Sequence, residues 1–260
     1  MNLSFVKYQG TGNDFVMIDN RSGKWDDLTI SEIQKICDRR FGVGADGLIK
    51  INAHPALDFE IDYYNADGSK SFCGNGARCS VAFAHTLGIN TQLTHFMAID
   101  GEHEASQNPG SISLLMKDVS LVATVGEDFL INTGSPHYIR FVPGTSVVNV
   151  FEEGRAIRYS DPYKQEGINV NFVTALSHNK IDVRTYERGV EDETHSCGTG
   201  VTAAALAFAV QNDLRGQQII EVVTKGGDLK VHFSRTGDSE FERIYLIGPA
   251  ERVFEGVYTA

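Results

Sequence analysis

The sequence predicts an α/β chain of two similar halves, each a β-sheet wrapped around one buried central helix, and three observations carry that expectation. Many short runs, among them "DFEIDYYN" and "IDVRTYER", alternate apolar and polar residues with the period of a strand. From residue 201 to residue 211 the chain carries no charge, so a helix there is apolar on nearly every face and has to be buried on nearly every face. Blocks of sequence also recur in one order. "GTGNDFVMID" (10–19) returns as "NTGSPHYIRF" (132–141) at an offset of 122, Cys73 matches Cys197 at 124, and Gly101 matches Gly227 at 126. Three blocks at near-constant spacing mark a duplicated topology.

Taken in order, "LSFVKYQ" and "DFVMID" open the chain as strands. In "TISEIQKICDRRF", Thr29 and Glu32 form a capping box, and Ile33, Ile36, Cys37 and Arg40 mark one helical face, which places Cys37 in a core. "GVGADG" (42–47) matches G-x-G-x-x-G, yet it follows a helix and precedes the strand-like "LIKI". That is the reverse of the dinucleotide-binding context, so a nucleotide site is rejected. After "DFEIDYYN" the first central helix starts directly behind "CGNG", followed by "FMAIDGEHEA" as strand, tight turn and strand, and by "SISLLMKDV". The second half repeats the order with "IDVRTYER", a helix behind "CGTG", the hairpin "VVTKGGDLKV", and the strands "RIYLIG" and "RVFEGVYTA".

With 260 residues and 42% apolar content the chain reads as globular. A net charge of -11 without clustered Lys and Arg argues against nucleic acid as a partner and favours a small molecule. No apolar run approaches the roughly 18 residues of a membrane span, and the N-terminus lacks the pattern of a signal peptide, so no membrane partner and a cytoplasmic location are expected. Cys37, Cys73, Cys79 and Cys197 are too scattered to staple such a chain, and no His or Cys cluster has zinc-ligand spacing, so reduced thiols and no metal are expected.

Cys73 and Cys197 each stand at the N-terminal end of a central helix, where unpaired N–H groups and the positive end of the helix dipole attract anions and favour a thiolate. Gly74, Gly76, Gly198 and Gly200 let a ligand approach the backbone closely. Cys79, about 120° around the helix from Cys73, reads as core. Either cysteine alone would read as a small buried hydrophobe. Two thiols at equivalent helix starts suit another task. One can take a proton from one face of a carbon while the other delivers a proton to the opposite face, which inverts a stereocentre. A racemase or epimerase follows. A thiol redox enzyme and a two-lobed amino acid binding protein stay open on this reading, while Lys225 in "TKGGD" looks like a hairpin turn and gives no support for a pyridoxal enzyme.

"GTGNDF", "NADGSKSFCGNGARC", "VRTYERG" and "SCGTGV", in this order and spacing, closely resemble the diaminopimelate epimerase family over nearly the whole chain. The resemblance implies an enzyme without cofactor that interconverts LL- and meso-diaminopimelate in lysine and peptidoglycan precursor synthesis, and it implies a homodimer. It implies a fold of two pseudo-twofold-related halves, each a mixed sheet around a central helix, with the active site in the cleft between them and the last strand returning to the first half. The expected boundaries are 1–117 plus 251–260 for the half with Cys73, and 118–250 for the half with Cys197. Carried over by residue, Cys73 and Cys197 become the two bases. The backbone amides of Gly74, Asn75, Gly198 and Thr199 would hold the reacting carboxylate, Asn13 and Glu187 the neighbouring ammonium, and Asn65, Asn169 and Arg188 the distal amino acid end. On residue type alone, Asn13 and Asn65 would read as solvated turns and Glu187 with Arg188 as a surface ion pair. His137 matches a family histidine held to assist one cysteine. Ser135 stands where family members usually have Asn, a contact to the distal end of the substrate, and only Lys70, Ser71 and Phe72 separate "DGS" from Cys73 where four residues are common.

Overall fold

The strand periodicity becomes a burial pattern. In "FEIDYYN", Phe59, Ile61 and Tyr63 are buried while the residues between them are half-exposed, whereas Phe15 to Ile18 are buried on both faces. A strand buried on both faces needs a layer on each side of its sheet. The computed structural model describes residues 2–89 and 91–259. Its chain divides into two units, Met1–Leu114 with Gly248–Ala260, and Leu115–Ile247.

The first unit runs β1 (Asn2–Gly10), β2 (Asn13–Asp19), α1 (Ile30–Cys37), β3 (Gly47–Asn52), β4 (Phe59–Asn65), α2 (Gly74–Thr86), β5 (Leu93–Ala98), β6 (Gly101–Asn108) and β7 (Ser111–Leu115). Then come β8 (Val122–Val125), β9 (Asp128–Asn132), β10 (Pro136–Phe141), α3 (Val150–Arg158), β11 (Asn169–Ser177), β12 (Lys180–Glu187), β13 (Asp192–Thr194), α4 (Gly198–Gln211), β14 (Gly216–Thr224), β15 (Gly227–Arg235), β16 (Phe241–Gly248) and β17 (Glu251–Thr259). In the first unit β1–β2 is antiparallel, β2–β3 parallel, β3–β4 antiparallel, β4–β5 parallel, and β5–β6 and β6–β7 antiparallel. In the second unit the pairs β9–β10, β10–β11, β11–β12, β12–β14, β14–β15 and β15–β16 follow the same sequence of directions. The mixed sheet is thus built twice. Strand β17 pairs antiparallel with β1.

The register is duplicated as well. Phe15 pairs with Gly47 and Ile49 with Tyr63; 122 residues on, His137 pairs with Asn169 and Asn171 with Thr185. Gly101 and Gly227 close equivalent hairpins with φ of 124° and 138°, a region open to glycine.

Each sheet is covered on both faces. Helix α4 packs against β9, β10, β11, β12, β14 and β15, and α2 against β1, β2, β3, β4, β6 and β17, so each sheet curves around its own buried helix. On the opposite face α1 buries Ile33, Ile36 and Cys37 against Leu3, Val16, Ile18 and Leu48, and α3 lies over Tyr138, Val170, Phe172 and Tyr186. The capping box of Thr29 and Glu32 is present. Arg40 does not share the α1 face, because the helix stops at Cys37 and Asp38 turns extended, leaving Arg40 exposed. Helix α3 has no counterpart in the sequence reading, although Asn149 caps it by accepting from the Glu152 N–H, and it carries Gly154 on its buried face. A Cβ there would come closer than 3.0 Å to the Tyr186 side chain, so close packing overrides helix propensity.

Candidate active site

Cys73 and Cys197 are the N-cap residues of α2 and α4, with φ of -137° and -113°. Neither cap side chain bonds the first turn, and among the described residues neither first turn carries an acidic side chain. The first turns, with the N–H groups of Gly74 and Asn75 in one helix and of Gly198 and Thr199 in the other, thus present backbone donors and the positive end of a helix dipole beside each cysteine. Cys79 and Cys37 are buried at 0% and 2% exposure, and burial pushes both thiols up to about 12. They are protonated core residues.

In the first unit the Cys73 thiol donates to Asn13 Oδ1 at 3.3 Å, and Asn75 Nδ2 approaches the same oxygen at 3.5 Å. Asn13 is oriented from behind by its Nδ2, which donates to Asp46 Oδ2 at 2.6 Å. A carboxylate only accepts, so the amide oxygen is turned to the thiol. Asp46 is in turn held by Arg39 at 2.7 Å, and Arg39 also bridges Asp14, which pairs with the buried Lys7 at 2.7 Å. Burial works to raise the Asp14 carboxyl, yet the hydrogen bonds from Arg39 and Lys7 outweigh it and hold Asp14 at about 2. Asn65, at the end of β4, donates to Ser69 Oγ and to Ser71 Oγ at 3.0 and 3.1 Å, which ties it to the loop leading into Cys73. Arg78, 0% exposed, donates to Thr11 Oγ1 and to Asn75 Oδ1 at 3.2 and 3.0 Å, and so braces the first turn of α2.

In the second unit, Cys197 Sγ lies 3.5 Å from Thr199 Oγ1, and Thr199 Oγ1 lies 2.9 Å from Nε2 of His137, which is fully buried. Asn169 donates to Ser135 Oγ at 2.9 Å and accepts from the Arg188 backbone N–H at 2.9 Å, so these three form a second cluster. The Arg188 guanidinium donates to the Glu166 carbonyl at 2.8 Å. Glu187, the last residue of β12, shares a strand face with Thr185 because it lies two residues on. Thus the structure gathers Asn13, Cys73 and Asn75 in one unit, and Cys197, Thr199 and His137 beside Ser135, Asn169 and Arg188 in the other.

The family model described as diaminopimelate epimerase matches residues 5–106 and 129–253. The chain belongs to the diaminopimelate epimerase family. Diaminopimelate epimerase of Flavobacterium psychrophilum is 49% identical over 97% of this chain and 99% of its own, and that of Aquifex aeolicus 38% identical over 98% and 97%. Solved structures share the fold at low identity. A phenazine biosynthesis protein of the PhzF family from Bacillus anthracis superposes with a TM-score of 0.78 at 14% identity over all of both chains, and a hydroxyproline epimerase from Agrobacterium vitis with 0.68 at 12% over 98% and 92%. Membership of the diaminopimelate epimerase family makes the protein an isomerase. Among the described residues no helix is long and apolar enough to cross a membrane.

Several residues around the cysteines were not singled out from the sequence. Asp46 lies inside "GVGADG", set aside with its glycines, and the hydroxyls of Thr11 and Thr133 reach Arg78 and the Thr199 carbonyl at the two helix starts. Asn171 and Thr185 hide in strands whose alternation marks them only as inward-facing. A comparison of the halves at the offset of 122 holds a signal for them, since it sets polar against apolar residues at matched positions.

Proposed function

We propose that this member of the family interconverts LL- and meso-diaminopimelate without pyridoxal, by proton transfer between Cys73, Cys197 and the α-carbon. One cysteine, as thiolate, takes the α-proton from one face; the electron pair left on carbon spreads into the carboxylate; the other cysteine, as thiol, gives its proton to the opposite face. The charges of the two sulfurs are then exchanged. The observation that carries the reading is the shared position of both cysteines as N-caps of buried helices whose first turns have no side-chain cap. The carboxylate gains negative charge as the α-proton leaves, and N–H groups of Gly74, Asn75, Gly198 and Thr199 aimed at it stabilise that charge in the transition state.

In this reading Asn13 and Glu187 hold the α-ammonium, while Asn65, Asn169 and Arg188 hold the distal amino acid end. Ser135 contributes there through its bond to Asn169. The activity serves lysine and peptidoglycan precursor synthesis in the cytoplasm.

Heavy water tests the mechanism. Product formed from either isomer should carry deuterium at its inverted carbon, while substrate recovered early should stay largely unlabelled, because a thiol with one proton returns the proton it has just taken. Equal label in both isomers before equilibrium, read by mass spectrometry of the separated isomers, would defeat the assignment of one face to each cysteine.

A further inference from the structure

Beneath the start of α4 lies a polar cluster that the matching place in the first unit does not have. The duplicated register puts His137, Asn171 and Thr185 on three adjacent strands where the first unit has Phe15, Ile49 and Tyr63. Each trio lies under the third residue of its central helix. A Cβ on Gly76 would meet Ile49 and Phe15, and a Cβ on Gly200 would meet Asn171 and His137. The same fold therefore accepts apolar side chains at these positions. His137 and Asn171 are 0% exposed and Thr185 4%. An imidazole and an amide buried this deeply are costly unless hydrogen-bonded, and the hydrogen bonds they make lead to Cys197.

The direction of each bond follows from chemistry. The Tyr138 carbonyl can only accept, so Asn171 Nδ2 is the atom that faces it at 3.2 Å, and the same Nδ2 lies 3.1 Å from His137 Nδ1. On its other side Asn171 Oδ1 accepts from the Thr185 hydroxyl at 2.9 Å. His137 Nδ1 is thus an acceptor, and the proton of the neutral ring sits on Nε2, which donates to Thr199 Oγ1 at 2.9 Å. With Oγ1 accepting from Nε2, the single hydroxyl proton of Thr199 is free to be donated, and Cys197 Sγ lies within reach of it, 3.5 Å from Oγ1. Burial, reinforced by the positive charge of Arg188, pushes the His137 pKa down to about 3, so the ring stays neutral near pH 7.

We propose that Asn171, steadied by Thr185, is a positioning residue that locks His137 in its Nε2-protonated tautomer, so that the Thr199 hydroxyl donates to Cys197 Sγ and favours the thiolate there. With the proton on Nδ1 instead, Nε2 would accept from Thr199 and the hydroxyl would be turned away from sulfur. The catalytic consequence rests on the reading of Cys197 as one of the two acid-base groups. The first unit treats its cysteine differently: Cys73 donates to the Asn13 amide oxygen, and no imidazole stands at the Phe15 position.

Long-range proton–nitrogen NMR on histidine-labelled wild-type protein reads the tautomer directly, the His137 signals being identified by their loss in His137→Phe. A protonated Nε2 and a bare Nδ1 are expected; the opposite tautomer overturns the proposal whatever Cys197 does. Asn171→Asp, which keeps the shape but turns the donor beside Nδ1 into an acceptor, should lower the rate of iodoacetamide alkylation at Cys197 about tenfold at pH 7 and raise its pH midpoint by about one unit, the effect of one charge-assisted hydrogen bond. Alkylation of Cys73 should keep its rate. Epimerisation should lose a similar factor in kcat with KM held within about twofold, Thr199→Val should behave alike, and Thr199→Ser should restore both readouts. A folded Asn171→Asp protein with unchanged Cys197 alkylation overturns the proposal, as does lost turnover in which alkylation of Cys197 does not move. Cys197→Ala with full turnover would sink the catalytic reading alone, and the NMR and alkylation results would still decide the relay.

Discussion

Alanine at Gly200 and, separately, at Gly76 measures how unyielding the polar floor under α4 is. Both glycines are the third residue of their helix and neither has a positive φ, so at either site alanine gains up to about 1 kcal/mol of helix propensity. Their neighbours differ. At Gly76 the new methyl meets Ile49 Cδ1 at 3.0 Å and Phe15 Cε1 at 3.4 Å, and the tip of an isoleucine can move aside for about 1 kcal/mol or less. At Gly200 the methyl comes closer than 3.0 Å to Asn171 Oδ1 and lies 3.3 Å from His137 Cε1. Asn171 cannot retreat without stretching its bonds to Thr185, Tyr138 and His137, and each buried hydrogen bond lost costs about 1–3 kcal/mol. Two are at stake. Gly76→Ala should therefore unfold within about 1 kcal/mol of wild type, while Gly200→Ala should lose about 2–4 kcal/mol and, where still folded, about tenfold or more in kcat. Urea unfolding followed by circular dichroism gives the first quantity, and chiral analysis of diaminopimelate after timed incubation gives the second. Equal stability and equal turnover for the two variants would refute the reasoning.

Cys73→Ala and Cys197→Ala should each abolish epimerisation, whereas Cys37→Ala and Cys79→Ala, which empty small buried volumes, should lower stability by about 1–2 kcal/mol and leave kcat within about threefold; near-wild-type turnover in Cys73→Ala would count against the two-base mechanism. Stability should also depend on acid through Asp14. Its folded value of about 2 lies below the ordinary 3.8, so its contribution of about 2 kcal/mol is present above about pH 4 and fades as pH falls toward 2. The stability gap between wild type and Asp14→Asn, measured by urea titration, should shrink across that window, and a gap as large at pH 2 as at pH 6 would contradict the assignment.

The duplication, the two buried helices, the cysteines at their starts and the family were all legible in the sequence, because each is local or repetitive. A charge-free stretch demands burial whatever surrounds it, a cysteine directly ahead of G-x-G lands on a helix start, and the blocks recur at spacings of 122 to 126. Cys37 and Cys79 were assigned to the core from helical periodicity alone, and their burial agrees. What periodicity could not show was which inward-facing residues are polar for a purpose. The reading also passed over α3, a nine-residue helix that Asn149 caps and whose Gly154 allows close contact with Tyr186.

The hydrogen-bond partners of the two cysteines were decided only by tertiary structure. Asp46 orients Asn13 from 33 residues away in the chain, and Asn171 faces His137 across 34. Nothing in the chemistry of either residue type names its partner, since an amide pairs equally well with solvent, backbone or another side chain. The pairing arises from strand register, which brings β10, β11 and β12 together so that His137, Asn171 and Thr185 meet under Gly200. Once they are sealed from water their polar atoms need partners within the protein, and the amide orientation in which Asn171 Nδ2 donates to the Tyr138 carbonyl also sets which nitrogen of His137 carries the proton. Sequence determined that two thiols stand at two helix ends; register and burial determined that Cys73 faces an amide oxygen while Cys197 faces a hydroxyl.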